Sequence, residues 1–93
     1  MKSSMLSGKT ALVTGSTSGI GLGIARMLAQ QGANILFNGF GDAQQIEKLH
    51  TDIGREFDVR TAYHGADMSR PADIEAMMQF GADTFGEIGR AHV

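Results

Sequence analysis

The sequence predicts an α/β fold, the N-terminal β-α-β-α-β-α part of a doubly wound parallel sheet. Three observations carry this expectation. Short apolar runs with β-branched residues alternate with longer stretches whose apolar residues recur at helical spacing. A glycine-rich turn joins the first run to the first helical stretch. Thirteen glycines stand against one proline, so tight turns and close backbone approach are open to this chain. Strands alternating with helices run parallel, because each helix carries the chain back to the start of the next strand. The helices then cover the faces of the sheet. The crossovers are expected to be right-handed.

Thr10-Ala-Leu-Val-Thr14 reads as a buried first strand and Gly15 to Gly21 as the turn. The first helix is expected from Gly21 to Gln31, with Ile20, Ile24 and Leu28 on one stripe and Gly32 just past its end. Asn34-Ile-Leu-Phe-Asn38 is the second strand, followed by the loop Asn38-Gly-Phe-Gly41. Asp42 is placed to cap a second helix from Ala43 to about Glu56, since its carboxylate can accept an unpaired first-turn amide. Ile46, Leu49, Ile53 and Phe57 form the apolar stripe of that helix. Glu47, Lys48, Asp52 and Arg55 face water. Val59 to His64 reads as the third strand and Gly65 to Met68 as a loop. Ser69 is the expected cap of a third helix, with Pro71 in its first turn. Ile74, Met77, Met78, Gly81 and Phe85 form its stripe, and the Met77-Met78 pair reads as core filling. His50 is expected on a helix surface and His64 at a strand end. Nothing before Gly8 is expected to be structured, and Met5 is an alternative start.

Composition narrows the function. With 93 residues, 42% hydrophobic and 19% charged, the chain reads as one globular domain at most and not as a disordered segment. The net charge is −2 and both signs are scattered. No run of Lys or Arg marks a nucleic-acid or acidic-membrane surface, so neither partner is expected. Cysteine is absent, which excludes disulfides and thiolate metal sites. His50, His64 and His92 show no ligand spacing, so no metal is expected. No apolar stretch approaches the roughly 20 residues that cross a bilayer. Met1 to Ser7 lacks the apolar segment of a secretory signal, and the expected location is the cytoplasm.

The ending follows no structural logic. Ile88-Gly-Arg-Ala-His-Val93 back-translates to ATC GGA AGA GCA CAC GTC, with the stop TGA as the next codon, a string similar to a common sequencing adapter. Glu87, read as GAG, straddles the junction. The expectation is a partial dinucleotide-binding domain over residues 1–86 and a non-native tail over residues 87–93.

The chemistry lies in Thr14-Gly-Ser-Thr-Ser-Gly-Ile-Gly21. Between a strand and a helix, the amides of such a turn and the positive helix end point at one spot, a site for a diphosphate. Gly15 permits a tight turn off the strand. Gly19 lets backbone approach a phosphate, and Gly21 lets the helix pack near the strand. Thr17 and Ser18 offer hydroxyls, and the Ile20 amide belongs to the same cradle. A glycine triplet alone is weak evidence, but one inside a βαβ unit is strong. No Lys follows the last glycine, so this is not the G-K-[ST] kind of phosphate loop. The bland reading is a turn that merely lets helix and strand pack closely.

The pattern Thr14-Gly-x-x-x-Gly-x-Gly21 resembles the signature of the short-chain dehydrogenase/reductase family, whose nucleotide domain is a Rossmann fold. The likeness runs through all three strand–helix units. Ser16-Thr-Ser-Gly-Ile-Gly-Leu-Gly-Ile-Ala25, Asn38-Gly-Phe-Gly-Asp42 and Ile46-Glu-Lys-Leu49 are similar to one branch of that family, the bacterial D-3-hydroxybutyrate dehydrogenases. The resemblance implies a nicotinamide dinucleotide as cofactor and partner. It further implies NAD, Phe40 against the adenosine half, and Asp67 with the Met68 backbone holding the adenine amino group. Each has a bland counterpart: Phe40 as a loop residue covering apolar surface, and Asp67 as an Asx-type turn before helix three. From the residues themselves, an acidic side chain at the end of strand two would select NAD and an arginine NADP, and Asn38-Gly-Phe-Gly41 departs from both. No Lys or Arg lies between Gly32 and Glu47, which favours NAD.

No catalytic residue can be carried over. The family's catalysis uses a Ser and a Tyr-x-x-x-Lys on later elements, and its Asn-Asn-Ala-Gly segment is also missing here. Tyr63, the sole tyrosine, has no Lys four residues on. Three readings remain open: the cofactor part of an NAD-dependent hydroxybutyrate dehydrogenase, part of another reductase such as a keto-reductase, and a stand-alone nucleotide-binding module. The family implies a homotetrameric parent, not a tetrameric fragment. Without a fourth strand, strand one becomes an apolar edge, so the isolated fragment is expected to be poorly soluble or loosely packed.

Overall fold

A computed structural model describes residues 6–86 and the backbone of residues 91–92. Met5, the alternative start, and residues 87–90 and 93 of the ending lie outside the described residues. The elements run β1 (Thr10–Val13), α1 (Gly19–Gln30), β2 (Asn34–Phe37), α2 (Ala43–Phe57), β3 (Thr61–Tyr63), α3 (Pro71–Phe85) and β4 (Ala91–His92). The sheet order is β3-β2-β1-β4 and every pair is parallel. The order β3-β2-β1 is the expected part of a doubly wound sheet, while β4 was not expected; every strand ends on the same edge.

Alternation along the strands divides the core. Ala11, Val13, Ile35 and Phe37 point to one face and join Ala25, Ala29, Ala33 and Ile53, so this face is packed under α1 and α2. Leu12, Leu36 and Ala62 point to the other face and pack with Ala66 and Met77, with Phe80 and Phe85 against them, so α3 covers this side. Fully burying a side chain such as Ile53 stabilises the fold by about 1.5–3 kcal/mol relative to leaving it exposed.

Two predicted helix ends hold. The Asp42 carboxylate accepts the Gln45 amide at 2.9 Å and caps α2. Gly32, at φ +97°, ends α1: its amide bonds the Ala29 carbonyl at 2.9 Å and the Ala33 amide bonds the Leu28 carbonyl at 3.1 Å. These are the paired bonds of a Schellman ending.

Several expectations are corrected. Helix α1 starts at Gly19, two residues early, and its buried residues are Ala25 and Ala29. Ile24 and Leu28 are only partly buried, and Ile20 is 85% exposed. Small side chains let the helix lie close to the sheet, which displaces the larger residues to its flanks. Strand β3 is limited to Thr61–Tyr63. Ser69 does not cap α3. Arg70 occupies that position, because the Asp67 carboxylate takes both the hydroxyl and the amide of Ser69. Of the methionine pair only Met77 is in the core, while Met78 is exposed, since adjacent helical residues point about 100° apart. Leu6 is ordered ahead of Gly8: its amide bonds the Gln31 carbonyl at 2.8 Å and its side chain packs on the core. The ending is not wholly outside the fold, for Ala91 and His92 pair with Ala11 and Leu12. The unpaired edge of β1 offers amides and carbonyls to any extended segment, so β1 is not the bare edge expected.

His50 is also corrected. It is buried on α2 against β3, not on the surface. Its Nδ1 lies 2.9 Å from Thr61 Oγ1, and the Thr61 hydroxyl donates to the His50 carbonyl at 2.8 Å. Nε2 lies 3.2 Å from Glu47 Oε1.

Candidate functional site

Three loops leave the carboxyl ends of β1, β2 and β3 and enclose a cleft of about 540 Å³. Thr14, Gly15, Thr17 and Ser18 form one wall, Asn38, Gly39 and Phe40 the second, and Ala66 to Ser69 the third. Six of the nine predicted site residues line it: Gly15, Thr17, Ser18, Phe40, Asp67 and Met68. Gly19, Ile20 and Gly21 do not line it. They form the first turn of α1 beside it.

The glycines of the turn have separate tasks. Gly15 and Gly19 both sit near φ +60°, a conformation that costs an L-residue about 1–2 kcal/mol. At Gly21 the constraint is space, since a Cβ there would lie 2.1 Å from the Gly15 carbonyl oxygen. The turn folds back on the helix start only because that atom is missing. The first intrahelical bond of α1 runs from the Leu22 amide to the Ser18 carbonyl at 3.2 Å. The amides of Gly19, Ile20 and Gly21 therefore have no intrahelical acceptor. The Ser18 side chain makes no capping bond, and the first turn holds no acidic residue. An anion fits this end of the helix by both hydrogen bonding and dipole.

The second and third walls are held by side chains. The Thr17 hydroxyl donates to the Phe40 carbonyl at 3.0 Å, so it braces the loop rather than standing open to a ligand. Phe40 is 75% exposed at the mouth of the cleft, so it covers little apolar surface of its own chain. The Tyr63 hydroxyl donates to the Gly39 carbonyl. Asp67 Oδ1 accepts the Ser69 amide at 2.9 Å and the Ser69 hydroxyl at 2.6 Å. These donors, the hydroxyl first, hold the Asp67 carboxyl below its ordinary value of 3.8. The Asx-type turn is thus present, and both bonds fall on a single oxygen.

Ser16 and Asn38 were not singled out by the sequence, and both are buried. The Ser16 amide and hydroxyl donate to the Asn38 carbonyl at 2.6 and 3.2 Å, and the Asn38 amide donates to the Ser16 hydroxyl oxygen at 3.0 Å. Asn38 Nδ2 donates to the His64 and Ala66 carbonyls at 3.1 and 3.0 Å. The one available signal was a polar residue closing an apolar strand.

Cations are absent from the cleft among the described residues. Lys9 precedes β1, and Arg60 precedes β3 with its guanidinium bonded to the Thr84 carbonyl and over the Phe85 ring. Both lie at the amino ends of strands, the edge opposite the cleft. No group of three or more His, Cys, Asp or Glu that could hold a metal occurs among the described residues. No described helix is long and apolar enough to cross a membrane.

A parallel sheet in the order β3-β2-β1 with alternating helices and a glycine-rich turn at its carboxyl edge defines a class, the Rossmann-like α/β fold. The chain belongs to the short chain dehydrogenase family, which matches residues 9–90. It is 60% identical over 82 residues to the D-beta-hydroxybutyrate dehydrogenase of Cupriavidus necator, covering 88% of this chain and 31% of that protein. It is 49% identical over 78 residues to the enzyme of the same name from Rhizobium meliloti, covering 84% and 30%. The chain thus spans about a third of the length of these curated relatives. The L-sorbose reductase of Gluconobacter frateurii, solved as a complex with NADPH and L-sorbose, superposes with a TM-score of 0.82 at 31% identity. That match covers 95% of this chain and 33% of the reductase.

Proposed function

We propose that this chain is the cofactor-binding N-terminal part of an NAD-dependent oxidoreductase whose parent reaction oxidises D-3-hydroxybutyrate to acetoacetate. The observation that carries the reading is the anion-ready turn at Thr14–Gly21, placed at the carboxyl edge of the sheet. The 60% identity to a D-beta-hydroxybutyrate dehydrogenase supports the substrate.

In this reading the amides of Gly19, Ile20 and Gly21 and the hydroxyl of Ser18 hold the diphosphate. Phe40 lies against the adenosine half, and Asp67 and the Met68 backbone receive the adenine. The bound dinucleotide supplies hydride transfer chemistry. This chain's residues supply placement and a fixed field. No Tyr-x-x-x-Lys occurs in the sequence, so the proton-handling residues belong to a longer parent, and the segment is inactive alone. This reading takes residues 87–93 as a non-native tail, against which stands the family match that runs to residue 90. Re-sequencing an independent clone tests this, and recovery of the same ending would refute it.

NAD is favoured over NADP because the cleft contains no cation to meet a 2′-phosphate, while Lys9 and Arg60 lie at the far edge. The competing reading, an NADPH-dependent keto-reductase, draws on the L-sorbose reductase, whose complex holds NADPH. The decisive experiment expresses the full-length reading frame that carries this segment. NADH and NADPH are titrated by fluorescence, and turnover is assayed with D-3-hydroxybutyrate. The proposal expects tighter NADH binding and substrate-dependent NAD reduction. Preference for NADPH with no turnover of hydroxybutyrate would favour the keto-reductase. The expected home of the parent is the cytoplasm, as a homotetramer.

A further inference from the structure

We propose that Asn38 is a positioning residue of the cofactor site, whose buried carboxamide fixes the spacing between the loops that a dinucleotide must span. The inference rests on the cofactor reading above and names a residue that does not need to touch the ligand's reacting atoms.

The argument begins where the sheet ladder ends. Phe37 is the last residue of β2 in register with both neighbours, opposite Val13 on β1 and Tyr63 on β3. Beyond it the register of the three strands ends, and the regular ladder no longer sets their distances. Asn38 is the next residue. Its backbone exchanges three bonds with Ser16 on the β1 side, and its carboxamide bonds the His64 and Ala66 carbonyls on the β3 side. One residue therefore joins all three walls.

The chemistry demands an amide at this position. The carboxamide nitrogen carries two N–H donors, and each meets one carbonyl. Asn38 is 2% exposed and Ser16 0%, so water is poorly placed to substitute. Among the described residues no buried side-chain nitrogen or oxygen lacks a partner, so the network is complete. An aspartate would have the same shape but would set acceptors against two carbonyl oxygens. A leucine would leave both carbonyls without a donor.

The turn at β1 receives the diphosphate and the loop after β3 the adenine. A ligand held by both depends on their separation. Loosening the tie weakens binding of the whole dinucleotide, because the loops must then be ordered at the moment of binding. Chemistry in the bound state at the nicotinamide end is left alone. A residue that served folding only would instead lower the active fraction and leave KM unchanged.

The test compares the full-length reading frame with its Asn38→Asp and Ser16→Ala variants. NADH affinity is measured by fluorescence titration, kcat and KM for NAD by steady-state assay, and folding by circular dichroism and melting. For Asn38→Asp the expected result is a roughly ten- to hundredfold rise in NADH Kd and in KM for NAD. kcat should stay within about twofold. Ser16→Ala should move Kd the same way by less, and the double variant should change it by less than the product of the two. A folded Asn38→Asp protein that binds NADH like its parent overturns the proposal, as does a fall in kcat at constant KM. If Asn38→Asp does not fold, Ser16→Ala decides, and an unchanged Kd there overturns the proposal. A parent that binds no NADH sinks the cofactor reading instead, an outcome separate from any variant's behaviour.

Discussion

The turn after β1 and the loops after β2 and β3 face one cleft but are built by different means. The first wall is made of backbone: positive-φ glycines, a missing Cβ at Gly21 and unpaired first-turn amides. The other two are held by side chains: Thr17 reaching across from the first wall to the Phe40 carbonyl, Tyr63 on Gly39, Asn38 on two carbonyls and Asp67 on Ser69. At Gly21 the backbone wall has no gradual way to fail, because one added carbon meets a carbonyl. A side-chain wall can lose one bond and keep its shape.

That contrast can be broken or sharpened by substitution in the full-length parent. Gly21→Ala should have the largest effect. Its Cβ cannot fit beside the Gly15 carbonyl, so the turn must move and NADH affinity should fall roughly a hundredfold or more. Fluorescence titration checks it, and a loss of only a fewfold would show that the turn adapts. Gly19→Ala should follow, destabilising the protein by about 1–2 kcal/mol through φ strain alone, since open space surrounds that position. Urea unfolding reads this directly. Asp42→Ala should cost about 1 kcal/mol by removing the α2 cap, with a smaller change in NADH affinity than either glycine variant, because Asp42 lines only the recess that shares Thr17, Ser18 and Phe40 with the cleft. A large change in affinity would move Asp42 into the site.

The smallest effect concerns pH. The Asp67 carboxyl is held below its ordinary value of 3.8 in the folded chain by the Ser69 donors. A lowered folded value means the bond's contribution is present above pH 3.8 and is lost as pH falls through the folded value. Asp67→Asn should abolish that acid-side dependence of the loop. Hydrogen exchange of the Ser69 amide follows it, and equal protection on both sides of the transition would contradict the assignment.

What the sequence revealed follows the same division. Features set by neighbours in the chain were legible. Asp42 caps a residue three positions on, Gly32 closes its own helix, and the glycine spacing of residues 15–21 describes one continuous turn. Features set across the fold were not. Ser16 and Asn38 are 22 residues apart, and His50 on α2 is bonded to a threonine 11 residues away on β3. Ser69 had the local pattern of a cap, but Asp67 two residues earlier captured its hydroxyl. Helix α1 was read from its large apolar residues, whereas it packs through Ala25 and Ala29, whose small size gives little hydropathy signal. The pairing of Ala91–His92 with β1 depends on an open edge, which no local pattern records.

The most direct measurement is a crystal structure of the full-length parent with ADP-ribose, which carries the diphosphate and adenosine without the nicotinamide. The account predicts diphosphate oxygens within hydrogen-bond distance of the amides of Gly19, Ile20 and Gly21, with the adenine between Phe40 and Asp67. A diphosphate bound anywhere else, with those three amides facing only water, would contradict it.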